Sequence, residues 1–262
     1  MSEHLDGTRE MTNVAYSLSR GERIPRPVGP TAPRTLQSTV EIQETIWTRD
    51  GVKEALVAPS AKLTRFESLI KRTMDIMGSA MLLILLSPIM LASWLVLMVT
   101  TNGKPIFRQT RLGKCGLPFV MYKFRSMVPN AEDLKSQVEN DHDGPIFKNY
   151  RDPRITRLGH IMRRTSVDEL PQLFHVLTGH MSLVGPRPMV VSEFATFEPW
   201  QLERLAVKPG LTCLWQVSGR SQIGFEEWMQ MDIWYVENQS LMTDLKLLLR
   251  TPLTVLRRRG AY

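Results

Sequence analysis

The sequence predicts an α+β protein, mostly helical, that enters a membrane from one side only. The expected parts are a re-entrant broken helix, a small β-hairpin and amphipathic interfacial helices. Three observations carry this reading. From Ile76 to Gly103 no side chain is charged, a run of 28 residues, where about 20 suffice to cross a bilayer. Ser87-Pro88 interrupts that run near its middle, and proline removes a backbone donor and kinks or breaks a helix. Both flanks are basic: Lys62, Arg65, Lys71 and Arg72 before the run, Lys104, Arg108, Arg111 and Lys114 after it. Positive charge marks the cytoplasmic side of a membrane segment. A bend at Ser87-Pro88 that returns the chain to the same face satisfies all three, each arm of about 12 residues reaching only mid-membrane. A kinked single span is the competing reading.

Three regions follow from this. Residues 1–60 form a polar N-terminal extension in which GERIPRPVGPTAPRT, rich in proline and arginine, has little periodicity and reads as disordered. Residues 61–104 form a membrane helix-turn-helix. Residues 105–262 form a cytoplasmic catalytic domain. With 262 residues, 43% of them hydrophobic, the chain affords a sizeable core. A net charge of +7 suits polyanionic partners such as anionic lipid or phosphorylated substrates. Cys115 and Cys213 are the only cysteines, which argues against a disulfide framework or a zinc site and for reduced, cytoplasmic thiols.

Within the catalytic region, PIFRQTRLGKCGLPFVMYKFRSM places two β-prone runs around a glycine-bearing turn, with Lys123 and Arg125 in the second run. NAEDLKSQVEND reads as a polar helix. In DPRITRLGHIMRRTSVDEL, Ile155, Leu158, Ile161 and Met162 share a helical face, while Arg154, Arg157, Arg163 and Arg164 dominate the remainder. Such a helix suits a membrane interface or an ordinary core. The tail LKLLLRTPLTVLRRRGAY is also apolar and basic.

RRTSVDELPQL admits two readings. Ser166, Thr165 and Asp168 are good N-caps, and Ser166-x-x-Glu169 fits a capping box. With Asp168 as N-cap, Pro171 falls in the first turn, where its missing N–H is harmless. The adjacent carboxylates beside two arginines also suit a reaction centre. In SLVGPRP, Arg187 lies between two prolines that fix their own φ and restrict their neighbours. It is either a rigid turn or a guanidinium held ready for phosphate. KPGLTCLWQVSGR adds PG and SG turn signals with Lys208 and Arg220.

Taken in order, KRTMDIMGSAMLLILLSPIM, YKFRSM, RRTSVDELPQL, SLVGPRP and PGLTCLWQVSGR resemble the bacterial sugar transferases, the monotopic phosphoglycosyl transferases also called polyprenyl-phosphate hexose-1-phosphate transferases. The resemblance spans about residues 66–262 and leaves residues 1–60 uncovered. It implies an enzyme of the bacterial inner membrane whose catalytic domain faces the cytoplasm. The implied reaction moves hexose-1-phosphate from a UDP-hexose to undecaprenyl phosphate. It implies Asp168 as nucleophile, Glu169 as a Mg²⁺ ligand, and Ser87 and Pro88 as the membrane bend. Lys123, Arg125, Arg164, Arg187 and Arg220 are the basic residues expected to contact donor or lipid phosphate. The expected partners are the nucleotide sugar, the polyprenyl phosphate lipid and the bilayer, with a homodimer also compatible. A membrane glycosyltransferase that releases UDP, or a basic membrane scaffold without catalysis, are the alternatives. Basic stretches without interleaved stacking aromatics argue against nucleic acid.

Overall fold

The computed structural model describes residues 63–257, apart from 142–145, 148, 150, 195–196 and 220–222. The extension 1–60 and Arg220 lie outside the described residues. The chain opens with one helix of 36 residues, α1 (Arg65–Thr100). Thr64 and Glu67 form a reciprocal capping box at its start. Helical backbone continues through Pro88, with no separate turn element between two arms. The physical reason lies four residues back. Pro88 cannot donate to the Ile84 carbonyl, and the Ser87 hydroxyl donates to that same carbonyl at 2.8 Å.

One stripe of α1 (Asp75, Ser79, Leu82, Leu86, Met90, Leu97) is buried or half-buried against the protein. The opposite face exposes Met77, Met81, Ile84, Leu85, Leu95 and Val99. Its length and composition are sufficient to cross a membrane. Polar bonds lock the N-terminal half to the domain. Arg72 donates to the Val176 and Leu177 carbonyls, both at 2.7 Å, and Lys71 pairs with the buried Asp244. Asp75 Oδ1 accepts from Ser182 Oγ (3.0 Å) and the Leu183 N–H (2.9 Å). The C-terminal half belongs to a small second core with Leu97, Phe124 and Met162.

Strands β1 (Ile106–Leu112) and β2 (Pro118–Phe124) form the expected antiparallel hairpin, Ile106 facing Phe124. Cys115 takes a positive φ of 56° in the turn. NAEDLKSQVEND is not a helix: it is turns and a short 3₁₀ segment, Lys135–Gln137. A short helix without an apolar face gains nothing from packing and is marginal in water.

Helix α2 (Arg157–Thr165) is capped by Thr156, whose Oγ1 accepts from the Gly159 N–H. Of the four apolar residues expected on one face, Ile155 precedes the helix, Leu158 and Met162 join the second core, and Ile161 is exposed. Arg154 does not sit on a basic face either. It is buried in a bidentate pair with Asp152 (2.9 and 2.7 Å).

A 3₁₀ segment (Val167–Gln172) leads into α3 (Leu173–Thr178) and β3 (Ser182–Val184). The one-turn α4 (Val191–Phe194) and a 3₁₀ segment (Pro199–Ala206) follow. β4 (Gly210–Thr212) pairs parallel with β3. Then come α5 (Leu214–Ser218), α6 (Phe225–Glu237) and α7 (Leu241–Arg257). The main core gathers Leu173, Val176, Met181, Met229, Met231 and Leu247. Met242, Leu245, Leu249 and Leu253 form an exposed apolar stripe along α7.

Gly159 lets α2 close onto the end of β2, since a Cβ there would lie 1.9 Å from the Ser126 carbonyl oxygen. We expect Gly159→Ala to force α2 away from Ser126 and destabilise the protein by about 2 kcal/mol or more. A lowered thermal midpoint in detergent would register it, and an unchanged one would refute this account of the packing.

Candidate active site

Ser166 joins α2 to the 3₁₀ segment in the left-handed conformation, φ 57°. Its side chain makes no capping bond, and only its carbonyl accepts from the Glu169 N–H (3.2 Å). The capping reading of RRTSVDELPQL therefore fails. Asp168 is not an N-cap but the second residue of the 3₁₀ segment, and it points into the protein with 7% of its surface exposed. Its carboxylate makes no hydrogen bond or ion pair among the described residues, and Lys123, Arg163 and Arg187 act on it only through their charge. A buried carboxylate without a partner is costly in a folded protein, which marks Asp168 as a group held for something other than stability.

Glu169 is held from two sides. Lys123 Nζ, on β2, lies 3.1 Å from Oε1, and Arg187 Nη2, in the Pro186-Arg187-Pro188 turn, lies 2.5 Å from the same oxygen. Its Oε2 accepts no hydrogen bond among the described residues. The three partners come from the hairpin, the 3₁₀ segment and a loop 18 residues further on.

The site's charges shift one another. Burial pushes the Asp168 carboxyl up, and the adjacent Glu169 charge pushes it further, against Lys123, Arg163 and Arg187. Burial and the Glu169 charge together outweigh the three basic neighbours. Burial works on Glu169 in the same sense, but Arg187 and Lys123 outweigh it and hold that carboxyl well below the usual range. Burial lowers Lys123 to about 8 even though Glu169 opposes the shift. Together the groups make a largely buried charge cluster with one firmly ionised and one reluctant carboxylate.

The other sequence candidates are placed differently. Arg125 donates to the Lys104 and Ile106 carbonyls at 2.8 and 3.3 Å and lies over the Phe107 ring, so it fastens the hairpin to the end of α1. Arg164 is exposed and makes no bond among the described residues. Two residues that sequence reasoning missed as site groups stand close by. Arg163 Nε donates to Ser126 Oγ at 3.0 Å and acts electrostatically on Asp168. Arg111 is the last charged residue of β1, and its Nη1 donates to the Pro188 carbonyl at 2.9 Å. The alternation of β1 is the one sequence signal for Arg111, since it gives that position an inward or outward face but not a target.

No cluster of three or more His, Cys, Asp or Glu side chains gathers among the described residues. Mg²⁺ needs fewer, usually one or two carboxylates completed by substrate phosphates. Asp168 and the free Oε2 of Glu169 fit that donor set.

Residues 66–258 match the model of the bacterial sugar transferase family. The chain is 46% identical over 208 residues to an undecaprenyl-phosphate galactose phosphotransferase of Salmonella typhimurium, 76% of this chain and 43% of that protein. It is 38% identical over 200 residues to a UDP-glucose:undecaprenyl-phosphate glucose-1-phosphate transferase of Klebsiella pneumoniae, 73% of this chain and 41% of that protein. With the exopolysaccharide production protein ExoY of Rhizobium meliloti it shares 33% over 199 residues, 73% of this chain and 88% of that protein. The chain thus spans less than half the length of the first two. The match covers the apolar helix α1, the hairpin and the whole Asp168–Glu169 site, and on that ground the chain belongs to the bacterial sugar transferase family.

Proposed function

We propose that this chain is a membrane-bound phosphoglycosyl transferase. It moves hexose-1-phosphate, of glucose or galactose, from the UDP-sugar to undecaprenyl phosphate and releases UMP. The product starts an exopolysaccharide or another surface glycan. The observation that carries the reading is the unpartnered, buried Asp168 beside a Glu169 fixed by Lys123 and Arg187. The relatives' names supply the substrates.

An oxygen of the Asp168 carboxylate attacks the phosphorus that bears the sugar. An acyl-phosphate bond forms, the bond to the bridging oxygen breaks, and UMP leaves with that electron pair. An oxygen of undecaprenyl phosphate then attacks the same phosphorus, forms the lipid diphosphate sugar and returns Asp168 as a carboxylate. Covalent catalysis divides one displacement into two. Lys123 and Arg187 reduce the charge barrier to attack on a diphosphate, and Arg187 offers a planar fork that suits phosphate oxygens. Mg²⁺, held by Glu169 Oε2 and Asp168, would add charge neutralisation at the donor phosphates.

Asp168→Asn keeps the size of the side chain and removes its nucleophile. The protein should stay folded while UMP release from UDP-glucose or UDP-galactose falls to background in the presence of polyprenyl phosphate. Release of UDP instead of UMP by the parent would point to a glycosyltransferase. Because burial raises Asp168 and the attacking form is the ionised one, parent activity should fall as pH drops through a value above the usual aspartate range. Wild-type turnover in Asp168→Asn would remove the residue from the mechanism.

For the metal, an excess of chelator should abolish UMP release and added Mg²⁺ should restore it. Full activity in chelator would exclude the metal role of Glu169.

The same reading includes a re-entrant α1 on the cytoplasmic face of the inner membrane. Asp75 and Leu97 both touch the catalytic domain, although a straight helix separates residues 22 apart by roughly 33 Å, about the thickness of the hydrocarbon core. Contact at both ends and basic flanks on both sides favour a helix that dips and returns around Pro88, with the α7 stripe lying in the interface. Single cysteines at Ser68 and Ser136, in a chain lacking Cys115 and Cys213, should both resist an impermeant thiol reagent in intact cells. Labelling at Ser68 alone would establish a through-going span.

A further inference from the structure

The turn that carries Arg187 is held by its backbone. Four consecutive carbonyls each accept a hydrogen bond: Pro186 from the Gly210 N–H (2.8 Å), Arg187 from Arg204 Nη2 (2.7 Å), Pro188 from Arg111 Nη1 (2.9 Å) and Met189 from the Leu112 N–H (3.1 Å). Two of these donors are side chains, and one of them, Arg204, is almost wholly inside the protein. Its Nη2 also lies 2.6 Å from Asp232 Oδ2, and both side chains are 1% exposed.

Such a pair is a poor device for stability. Taking two charges out of water costs more than their attraction reliably returns, and well-packed apolar residues often do as well. Here the geometry is also incomplete. Arg204 Nε and Nη1 are buried without an acceptor among the described residues, so most of the guanidinium fork is unused. What the pair does deliver is one directed bond, from Nη2 to the Arg187 carbonyl, with Asp232 fixing the nitrogen that makes it. We propose that the buried Arg204–Asp232 pair is a positioning device that sets the Arg187 backbone so that its guanidinium meets Glu169. This rests on the phosphoglycosyl transferase reading for its effect on turnover but not for its effect on the turn. Neither residue touches the reacting atoms; both act through Arg187. Arg111 braces the same turn from the hairpin side, which is why the turn has fixed supports on two faces.

Removing one partner alone would strand a buried charge, so the decisive variant is the double replacement Arg204→Met with Asp232→Leu, which restores apolar packing and deletes the directed bond together with the pair. In the full-length protein in nanodiscs, amide exchange of the peptide covering residues 185–190 should quicken at least tenfold, while that of the hairpin peptide 106–124 and the thermal midpoint stay near the parent's. UMP release should fall about a hundredfold, the usual effect of displacing a catalytic group by an ångström or so. Added to Arg187→Lys, the double replacement should cost nothing further, because both act on one group. Parent-like exchange at 185–190 in the folded variant would overturn the proposal, as would a full, additive loss on top of Arg187→Lys. If the double replacement does not accumulate, Arg204→Lys, read by the same exchange and additivity, decides it. A parent that releases no UMP would defeat the phosphoglycosyl transferase reading alone, and the exchange result would still decide the role of the pair.

Discussion

The structure depends on one shared oxygen, Glu169 Oε1, on which Lys123 and Arg187 converge. The three residues come from parts of the chain that have no local reason to meet: a hairpin strand, a 3₁₀ segment and a proline-bound turn. A carboxylate largely withdrawn from water is stable as an ion when positive charge is brought to it. Glu169 therefore makes the hairpin and the Arg187 turn close around it. Its neighbour Asp168 receives no such compensation. It is buried by the same fold and left without a partner, so the electrostatic asymmetry of the pair follows directly from who is paired and who is not.

Much of the remaining architecture keeps the three carriers in place. The Lys123 strand is secured on its outer side by His175 of α3, whose Nε2 accepts from the Tyr122 N–H at 3.0 Å. Burial lowers His175, and the nearby His180 adds to that shift, which suits a neutral ring acting as acceptor. The Arg187 turn follows β3, and β3 is saturated on both edges. β4 and the Pro209 carbonyl serve one side. On the other, Asp75 receives the Leu183 N–H, while Lys71 and Tyr235 donate to the Val184 carbonyl (3.2 and 3.1 Å). The first turns of the long apolar helix α1 thus help to hold the strand that presents a site residue. The apolar helix and the site geometry are linked through ordinary hydrogen bonds.

Several features are legible in the chain itself. The uncharged run, the hairpin around GKCG, the helix over RLGHIMRRT and the amphipathic tail all follow from local composition and period, because each is decided by neighbours a few residues away. NAEDLKSQVEND misleads for the same reason: helix-compatible residues are present, but no apolar face exists to be buried. Ser87-Pro88 does mark a place where the backbone loses a bond, yet the hydroxyl one residue earlier supplies the replacement, so the helix continues.

Sequence alone determined the residue types of the site, the adjacent carboxylates and the proline-fixed arginine, and placed the chain in its family. Tertiary structure decided their roles. Asp168 and Ser166 both look like helix caps because capping is a local pattern. The left-handed turn at Ser166 and the burial around it make Asp168 an unpaired interior carboxylate instead. Of the arginines, the one in the fork, Arg187, and the two that brace it, Arg111 and Arg204, differ from the exposed Arg164 only in what lies opposite them. No spacing rule encodes that. The two ion-pair partners of Glu169 lie 18 and 46 residues from it, and over such separations only the packed fold determines which charge faces which.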